Sequence, residues 1–281
     1  MKKYNYLTQA QIDAYHKDGY LHLSGVYTED DVKHARSLIE EYTDAGGWEK
    51  APFYDDGVTT DIYELIPGLA AIAFNDNYIQ AMIDLFSPES VILAEPAVHR
   101  GRYYYWHKDC TFLDEQGETF HWESSFQAAM TVLYLQENHP DYGGGITVVP
   151  RTHSEPDFYH KIPRMSLLER GFLKMKKILK ISHFDYLEGH PEIFPIPTKV
   201  GDLLVLDMRL DHKGTPAKKA VPYTKYGIMN IACSGYEVAE KIRQALRRRT
   251  SGYYKEYLAK EPKQTPVLEK IEQGKAVKIW L

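Results

Sequence analysis

The sequence is poor in cysteine and has no long hydrophobic run. Cys110 and Cys233 are its only cysteines, which is too few for a disulfide framework and favours a reducing compartment. Residues 1–6 lack the apolar centre of a signal peptide, and no apolar stretch approaches the roughly 18 residues of a membrane span. We therefore expect a cytoplasmic protein without a membrane span.

A strong excess of charge of either sign is also lacking. The net charge is -5 over 281 residues, and 43% of the residues are hydrophobic. A weakly acidic chain gives no general reason to expect nucleic acid as a partner, and this hydrophobic content suffices for an ordinary core. The length allows one or two domains, but β-barrels and sandwiches of this size are often single units. We expect one domain that spans residues 1–281.

Local patterns predict the secondary structure. Thr8 and Gln11 have the spacing of a capping box, which begins a first helix. Residues 126–135 favour a long strand and residues 146–149 its successor, with a glycine-rich turn at 143–145 between them. Alternating strands and turns of this kind fit an antiparallel jelly roll.

These patterns divide the chain into regions. Residues 1–90 are predicted to form mainly helices, and residues 91–235 a β-rich core that carries the chemistry. An insertion at about 156–195 interrupts the core, and residues 236–281 are predicted to add C-terminal helices. The expected fold is mainly β with flanking helices around a double-stranded β-helix (jelly roll, cupin-like) core.

The tripeptide His-Lys-Asp occurs twice, at 16–18 and at 107–109. The first copy lies in the predicted first helix, where residues two apart point to nearly opposite sides. The second copy follows an aromatic run at 103–106, which favours a strand, and residues i and i+2 of a strand share one face. His107 and Asp109 can therefore bind one ion, whereas the first copy is predicted to be a solvated helix pair.

A third metal ligand is expected at His212, which follows a late strand of the core. Two imidazoles and one carboxylate form the facial triad of non-haem Fe(II) oxygenases, which leaves adjacent coordination positions open for other ligands. Zinc hydrolases use similar ligands, but the sequence has no His-Glu-x-x-His helix and no evident general base nearby. Hydrolysis is therefore the weaker enzymatic alternative.

With these residues the chain resembles the phytanoyl-CoA dioxygenase family of Fe(II)- and 2-oxoglutarate-dependent oxygenases, from about residue 7 to residue 234. Each motif is short, but together they are specific. The segments that carry the resemblance are 7–11, 18–20, 106–109, 144–153, 201–202 and 212–216. The resemblance implies a jelly-roll core, ferrous iron, 2-oxoglutarate as co-substrate, and succinate and carbon dioxide as co-products. It does not imply phytanoyl-CoA as the substrate.

One departure from the family concerns the distal carboxylate of 2-oxoglutarate, which members usually hold with an arginine after the distal histidine. No arginine occurs between His212 and Arg243, and Lys225 stands at about the expected place. A lysine neutralises a carboxylate as a point charge without the bidentate fork of arginine. Lys225 is thus either the co-substrate ligand or a surface lysine. Other residues that could contact the co-substrate, or else be ordinary core residues, are Thr215, Thr131 and Gln127.

These features predict a 2-oxoglutarate-dependent dioxygenase that uses dioxygen to hydroxylate or otherwise oxidise a small organic molecule, in specialised or catabolic metabolism. Candidate substrate contacts are Arg102, Tyr104 and Trp106. One alternative is a non-catalytic jelly-roll protein that binds a small molecule. Another is a related non-haem iron halogenase, which is disfavoured because Asp109 fills the position that a halide needs. The substrate, the oxidative outcome and the oligomeric state stay open.

Overall fold

The structure is a computed structural model, and it describes residues 6–47, 58–59, 62–94, 98–100, 105–139, 141–154, 167–168, 175, 187, 190–220, 222–249, 266–275 and 277–280. The helices are α1 (Gln9–Asp18), α2 (Glu29–Asp44), α3 (Ile62–Leu65), α4 (Gly68–Ala73), α5 (Asp76–Leu85), α6 (Thr111–Glu115), α7 (Tyr236–Arg247) and α8 (Pro266–Gln273). The strands are β1 (Tyr20–Leu23), β2 (Val58–Thr59), β3 (Val91–Leu93), β4 (Val98–Arg100), β5 (Ala128–Tyr134), β6 (Ile146–Val148), β7 (Phe194–Pro195), β8 (Leu203–Asp207), β9 (His212–Gly214), β10 (Tyr226–Cys233) and β11 (Lys278–Trp280). Two 3₁₀ turns span Phe120–Trp122 and Thr152–Ser154.

The first helix begins and ends as its sequence predicts. The Thr8 hydroxyl accepts a hydrogen bond from the Gln11 amide, and the Gln11 side chain accepts one from the Thr8 amide. This capping box satisfies amides that the first turn of a helix leaves without partners. The helix ends at Gly19, whose φ of 79° lies in the left-handed region that favours glycine. Among the described residues, no helix is both long and apolar enough to cross a bilayer.

Two β-sheets form the centre of the molecule. The larger sheet has eight strands, with the order β1-β8-β5-β10-β3-β11, and β4 joins it through β10 and also pairs with β2. The smaller sheet has three strands in the order β7-β6-β9. Strand β10 organises the large sheet because it pairs with β5 along its whole length on one side and with β4 and β3 on the other.

The two faces of the large sheet pack against different partners. Successive side chains of a strand point to opposite faces, and β5 shows this alternation. Ala129 and Leu133 belong to the hydrophobic core that contains the N-terminal helices, whereas Met130 and Val132 belong to the core that faces the smaller sheet. The space between the two sheets is therefore lined by even-numbered residues of β5.

The structure contains both core strands that the sequence predicts. The long strand predicted at 126–135 is β5, and its predicted successor at 146–149 is β6. Residues 236–281 contain two helices, α7 and α8, as expected, and also the strand β11, which was not predicted and pairs parallel to β3. Its three residues were too short a pattern to recognise in the sequence. Most of the predicted insertion at 156–195 lies outside the described residues.

Candidate metal centre and active-site pocket

Two histidines face each other across the edge of the smaller sheet. The backbone amide of His107 donates to the carbonyl of His212 at 2.9 Å, and the amide of His212 donates to the carbonyl of His107 at 3.0 Å. This reciprocal pair extends the sheet beyond β9 by a single bridge. It holds the two imidazole rings with their centroids 4.3 Å apart.

Asp109 also lies beside these two histidines, but in a different local structure from the predicted one. The sequence predicted His107 and Asp109 on one strand, but only His107 makes a β-bridge, and Asp109 lies in the turn before α6. The turn forms because the Cys110 amide donates to the Met208 carbonyl at 2.9 Å and the Thr111 amide donates to the Lys108 carbonyl at 3.1 Å. The expectation of a shared strand face was therefore wrong, although the two side chains do converge.

The three side chains present their donor atoms to one another. Nδ1 of His107 lies 2.7 Å from the Tyr105 carbonyl oxygen, and Nδ1 of His212 lies 3.0 Å from the Leu210 carbonyl oxygen. A backbone partner at Nδ1 fixes the ring and leaves Nε2 for a metal. The two Nε2 atoms stand 3.6 Å and 3.7 Å from Oδ1 of Asp109, which is too far for hydrogen bonds.

The buried charge at this cluster fits a cation. All three ligand atoms lie within 4.8 Å of one another, and Oδ2 of Asp109 is buried and has no hydrogen-bond partner among the residues that the structure describes. A buried carboxylate oxygen in that state costs free energy unless an ion or a donor satisfies it. Two imidazoles and one carboxylate are the donor set of non-haem Fe(II) sites. The residues present therefore fit ferrous iron.

Burial and mutual charge set the protonation of the cluster. Burial lowers the pKa of His212 to about 4, so this ring is neutral at neutral pH. Burial also acts to lower the pKa of His107, but Asp109, the Tyr105 carbonyl and Asp211 together more than offset it and leave the pKa above its ordinary value. Burial acts to raise the pKa of Asp109, yet the neighbouring imidazoles of His212 and His107 bring it below its ordinary value. The carboxylate is thus ionised and ready to bind a cation.

The buried side chain of Lys108 links the segment that carries His107 and Asp109 to the segment that carries His212. Its side chain is 2% exposed, and its ammonium donates to Oδ2 of Asp211 at 3.1 Å. The same ammonium donates to the Thr152 carbonyl at 2.9 Å and to the Arg209 carbonyl at 2.6 Å. Because Lys108 lies between two of the candidate ligands and Asp211 precedes the third, this buried ion pair fixes both segments in one arrangement.

A cavity of about 360 Å³ opens in front of the three side chains. It lies between the two sheets, since both β5 and β9 contribute to its wall. Its apolar side chains come from five elements and the loop after β8, and they include Phe112, Met130, Val132, Ile146, Met208, Met229, Ile231 and Leu246. A mostly apolar pocket with a few convergent polar groups is typical of small-molecule sites.

Lys225 lines this pocket, as a co-substrate ligand must. Its side chain lies against Gly144, where an added Cβ would stand only 2.4 Å from Cδ of Lys225, and Gly144 has a φ of 88°. Its ammonium donates to the carbonyl of Tyr142. Partial burial lowers the pKa of Lys225. Lys225 therefore lines the same cavity as His107, Asp109 and His212.

The other three proposed co-substrate contacts do not line the pocket. Thr131 lies on the opposite face of β5, where its hydroxyl is 3.1 Å from the Tyr78 hydroxyl. Gln127 precedes β5 with the same parity and is likewise absent from the pocket wall. The expectation that these two residues contact the co-substrate is therefore not met, because neither lines the cavity. The Thr215 hydroxyl lies 2.8 Å from that of Thr147, just behind the pocket.

The predicted substrate contacts need one correction. Trp106 is 3% exposed and packs with Val149 and Leu187, away from the pocket. The Lys213 ammonium lies 4.8 Å from the centre of its ring, so its role is packing beside the metal cluster. The other two predicted contacts, Arg102 and Tyr104, lie outside the described residues.

Several pocket residues escaped the sequence analysis. Gln136 follows β5 with the same even-numbered parity as the β5 residues that line the pocket, and its side-chain amide pairs with the backbone of Tyr226. This parity could have identified Gln136 as a pocket residue from the sequence. Arg249 also lines the pocket, with its guanidinium carbon 4.9 Å from the centre of the Phe112 ring. No local pattern marks Arg249, because it enters the pocket only through the packing of α7 against α6.

A pocket between two sheets with this donor set has the form of a non-haem iron oxygenase site. The model of the family "Phytanoyl-CoA dioxygenase (PhyH)" matches residues 15–219. The chain therefore belongs to the phytanoyl-CoA dioxygenase family, a family of Fe(II)- and 2-oxoglutarate-dependent oxygenases. The resemblance seen in the sequence is confirmed. A comparison with curated proteins finds no significant match.

Several solved structures share this fold. HygX from Streptomyces hygroscopicus, with nickel and 2-oxoglutarate bound, is 17% identical with a TM-score of 0.58, over 81% of this chain and 87% of that one. EctD from S. alaskensis, with bound Fe, is 18% identical with a TM-score of 0.53, over 81% and 76%. The non-heme alpha ketoglutarate dependent carbocyclase SnoK from nogalamycin biosynthesis is 13% identical with a TM-score of 0.54, over 81% and 84%. At these sequence identities, the similarity shows only that the fold is shared.

Proposed function

We propose that this protein is a dioxygenase that couples the oxidative decarboxylation of 2-oxoglutarate to the hydroxylation of a small organic molecule. The observation that carries the proposal is the convergence of His107, Asp109 and His212 on a pocket that also contains Lys225. One oxygen atom of dioxygen enters a C–H bond of the substrate, and the other enters succinate as carbon dioxide leaves 2-oxoglutarate. As part of this proposal, residues 1–281 form a single domain with a double-stranded β-helix core.

The three converging side chains would hold the iron, and each has a distinct part. His107 and His212 offer Nε2 while backbone carbonyls fix their rings, and Asp109 supplies the anionic oxygen. Ferrous iron bound there supplies the activation of dioxygen that the side chains cannot provide. Lys108 and Asp211 keep the ligand segments in register, which is the supporting role that neighbours of metal ligands commonly have.

Lys225 is the residue that we assign to the distal carboxylate of 2-oxoglutarate. It is the lysine on the pocket wall that lies neither between ligands nor in a buried ion pair. Lys219, a nearby alternative, instead pairs with Asp141 at 2.6 Å on the surface. The absence of a side chain at Gly144 leaves room for the Lys225 stem. An ammonium in this partly buried position can neutralise a carboxylate strongly because little water screens it.

The remaining wall selects and shields the substrate. Its methionine, leucine and isoleucine side chains keep water away from the reacting atoms, and methionine adapts to irregular shapes. Among the structural relatives, HygX is described with hygromycin B and EctD with 5-hydroxyectoine. These are two different small molecules, so they support a small-molecule substrate without selecting one. A halogenase is disfavoured because the Asp109 carboxylate occupies the third protein position beside the two histidines.

The proposal is tested by incubating the full chain with Fe(II), 2-oxoglutarate and a library of metabolites while measuring succinate. We expect at least one compound to increase succinate formation and to gain one oxygen atom, as read by mass spectrometry. His212→Ala should abolish both signals. A protein that binds a library compound but forms no succinate with it under any condition would instead be the non-catalytic binding protein.

A further inference from the structure

The active-site cavity has a second cationic side chain besides the lysine assigned to the co-substrate. The lysines and arginines on its wall, among the described residues, are Lys108, Lys225 and Arg249. The Lys108 ammonium is already held by Asp211 and two backbone carbonyls. In the proposed function, Lys225 binds the distal carboxylate of 2-oxoglutarate, and iron binds the oxo-acid end. The co-substrate therefore does not account for the third cation, Arg249.

The end of α7 places Arg249 on the cavity wall. The Arg249 amide donates to the Leu246 carbonyl at 3.0 Å, in the turn that closes the helix. Residues three apart on a helix share a face, and both side chains line the cavity. The guanidinium carbon lies 4.9 Å from the centre of the Phe112 ring, which is within the range of a cation–π contact. A guanidinium stacked on a ring keeps a fixed plane and presents its N–H donors at its edge.

Arg249 lies beside the segment that carries a metal ligand. Phe112, whose ring the guanidinium covers, is three residues after Asp109 and also lines the cavity. The Lys225 ammonium instead donates to the Tyr142 carbonyl, beside the glycine-rich turn. The two cations therefore contact different parts of the wall and can serve two different ligands.

The charges near Arg249 favour a ligand with a single negative charge. Glu115 follows Phe112 by three residues on α6 and also lines the cavity. This wall thus carries one carboxylate and one guanidinium, so a phosphate dianion would be repelled by the first and only half neutralised by the second. The planar fork of arginine matches the two oxygens of a carboxylate. The wall therefore favours a monocarboxylate over a phosphate.

We propose that Arg249 binds the carboxylate of the substrate, and that the substrate is a monocarboxylic acid with an apolar body. This inference rests on the proposed function and deepens it, because it names the substrate class of the same cavity. The body of the acid lies against apolar wall residues such as Met130, Ile231 and Leu246. Fixing the carboxylate at one end determines which C–H bond of the body faces the metal cluster. Arg249 is thus a residue that determines substrate specificity.

Binding to the full chain, loaded with Ni(II) in place of iron and saturated with 2-oxoglutarate, tests the proposal without turnover. The probes are aliphatic and arylalkyl monocarboxylic acids, octanoate and phenylpropanoate among them, each paired with its primary amide. Calorimetric titration gives the affinities. We expect at least one acid to bind, and its amide to bind about 10-fold more weakly or worse, because the amide gives the guanidinium no anionic partner.

Variants locate the binding to the guanidinium. Arg249→Met should weaken the binding of the acid by about 10–100-fold, since hydrogen bonds to a charged group are lost, and should change the binding of the amide little. Arg249→Lys should recover part of the acid affinity. Arg247→Met, which changes an exposed arginine of α7, should bind the acid as the wild type does.

A second titration separates the two carboxylate sites. The affinity of the Ni(II)-loaded chain for 2-oxoglutarate should fall in Lys225→Met and stay unchanged in Arg249→Met. The affinity for the acid, at saturating 2-oxoglutarate, should show the opposite pattern. A loss of 2-oxoglutarate affinity in Arg249→Met, with acid binding unchanged, would assign Arg249 to the co-substrate and overturn the proposal.

Two further results overturn it, and both come from the wild-type chain, so they hold even if a variant does not fold. One is that no acid of the set binds, and the other is that an amide binds as tightly as its acid. Acids that bind through Arg249 but cause no succinate formation with Fe(II) would contradict the proposed function and leave the carboxylate site standing. The two failures are therefore distinguishable.

Discussion

The same three residues, His-Lys-Asp, stand at 16–18 and at 107–109, and the fold gives them opposite roles. In the first copy His16 and Lys17 are exposed in the last turn of α1. In the second copy the lysine is buried, and the histidine and aspartate converge on His212. Identical chemistry in the sequence thus becomes a metal centre only where a second segment of the chain supplies the third ligand.

The lysines show most clearly what separates the two copies. Lys17 lies in solvent, whereas the ammonium of Lys108 contacts Asp211 and two backbone carbonyls. A buried ion pair contributes little net stability but makes the loss of one partner costly. The second copy is therefore fixed by its surroundings, and the first is not. The predictions below change matched residues in the two copies and in the pocket.

The largest effect is expected from removing a ligand of the second copy. His107→Ala, Asp109→Ala and His212→Ala should each lower Fe(II) affinity by more than about 100-fold, because even residues that only support ligands are worth about 10–100-fold. The consumption of 2-oxoglutarate should fall together with the Fe(II) affinity. Metal analysis after dialysis, together with a succinate assay, measures both quantities. Retention of full iron content in any of the three variants would remove that residue from the centre.

The next largest effect is expected at Lys108. Lys108→Met leaves the Asp211 carboxylate buried without its ammonium, which should lower the free energy of unfolding by about 3–5 kcal/mol. Iron affinity should also decrease, by about 10–100-fold, as the ligand segments lose their common anchor. Urea unfolding of the metal-free chain and Fe(II) titration measure the two effects separately.

Lys17→Met is the matched control for that experiment. Lys17 occupies the same place in the first copy but is exposed, so its replacement should change stability by no more than about 0.5 kcal/mol. The double variant Lys108→Met/Asp211→Leu should recover part of the lost stability, because it removes the unpaired charge. Equal losses in Lys17→Met and Lys108→Met would show that burial does not separate the copies.

Lys225→Met should weaken the binding of 2-oxoglutarate by about 2–5 kcal/mol, since a carboxylate in the pocket would lose its counter-charge. Iron content should be unchanged. Lys225→Arg should restore most of the affinity, and Lys218→Met, which changes an exposed lysine, should have no effect. The apparent 2-oxoglutarate requirement of succinate formation is the measurement. An unaltered requirement in Lys225→Met would transfer the role to another cation of the pocket, with Arg249 the first to test.

The smallest effect is expected from His16→Ala. The imidazole of His16 is exposed and lies edge-on to the Tyr15 ring with the ring centres 5.5 Å apart, and the His16 backbone carbonyl lies 3.1 Å from Nε2 of His153. An exposed substitution of this kind changes stability by about 0.5 kcal/mol or less. Thermal unfolding and iron content should both match the wild type. A loss of iron in this variant would show that the helical copy takes part in the centre.

Much of this arrangement could be predicted from the sequence because the signals are local. The capping box at Thr8 and the long strand at 126–135 depend on neighbours a few residues away. The separation of the two His-Lys-Asp copies rested on such signals as well. The reason given for the second copy was only partly right, since Asp109 lies in a turn.

Features that depend on distant packing could not be predicted. The alternation of β5 shows that Thr131 and Met130 point to opposite faces, but only the position of the smaller sheet decides which face lines the pocket. The same holds for Arg249, which the packing of α7 brings to the cavity, and for β11, which pairs with β3 from the far end of the chain. A sequence pattern shows which residues of a strand share a face, whereas the tertiary fold determines which face lines the pocket.

The central claim is that the second copy, with His212, holds iron together with 2-oxoglutarate. The most direct measurement is an anaerobic Fe(II) titration of the full chain in the presence of 2-oxoglutarate, followed by the visible charge-transfer absorption of their chelate. The account predicts that wild type and His16→Ala develop this absorption to one chelate per chain and that His107→Ala does not. Absorption of equal intensity in His107→Ala, or none in the wild type, would contradict it.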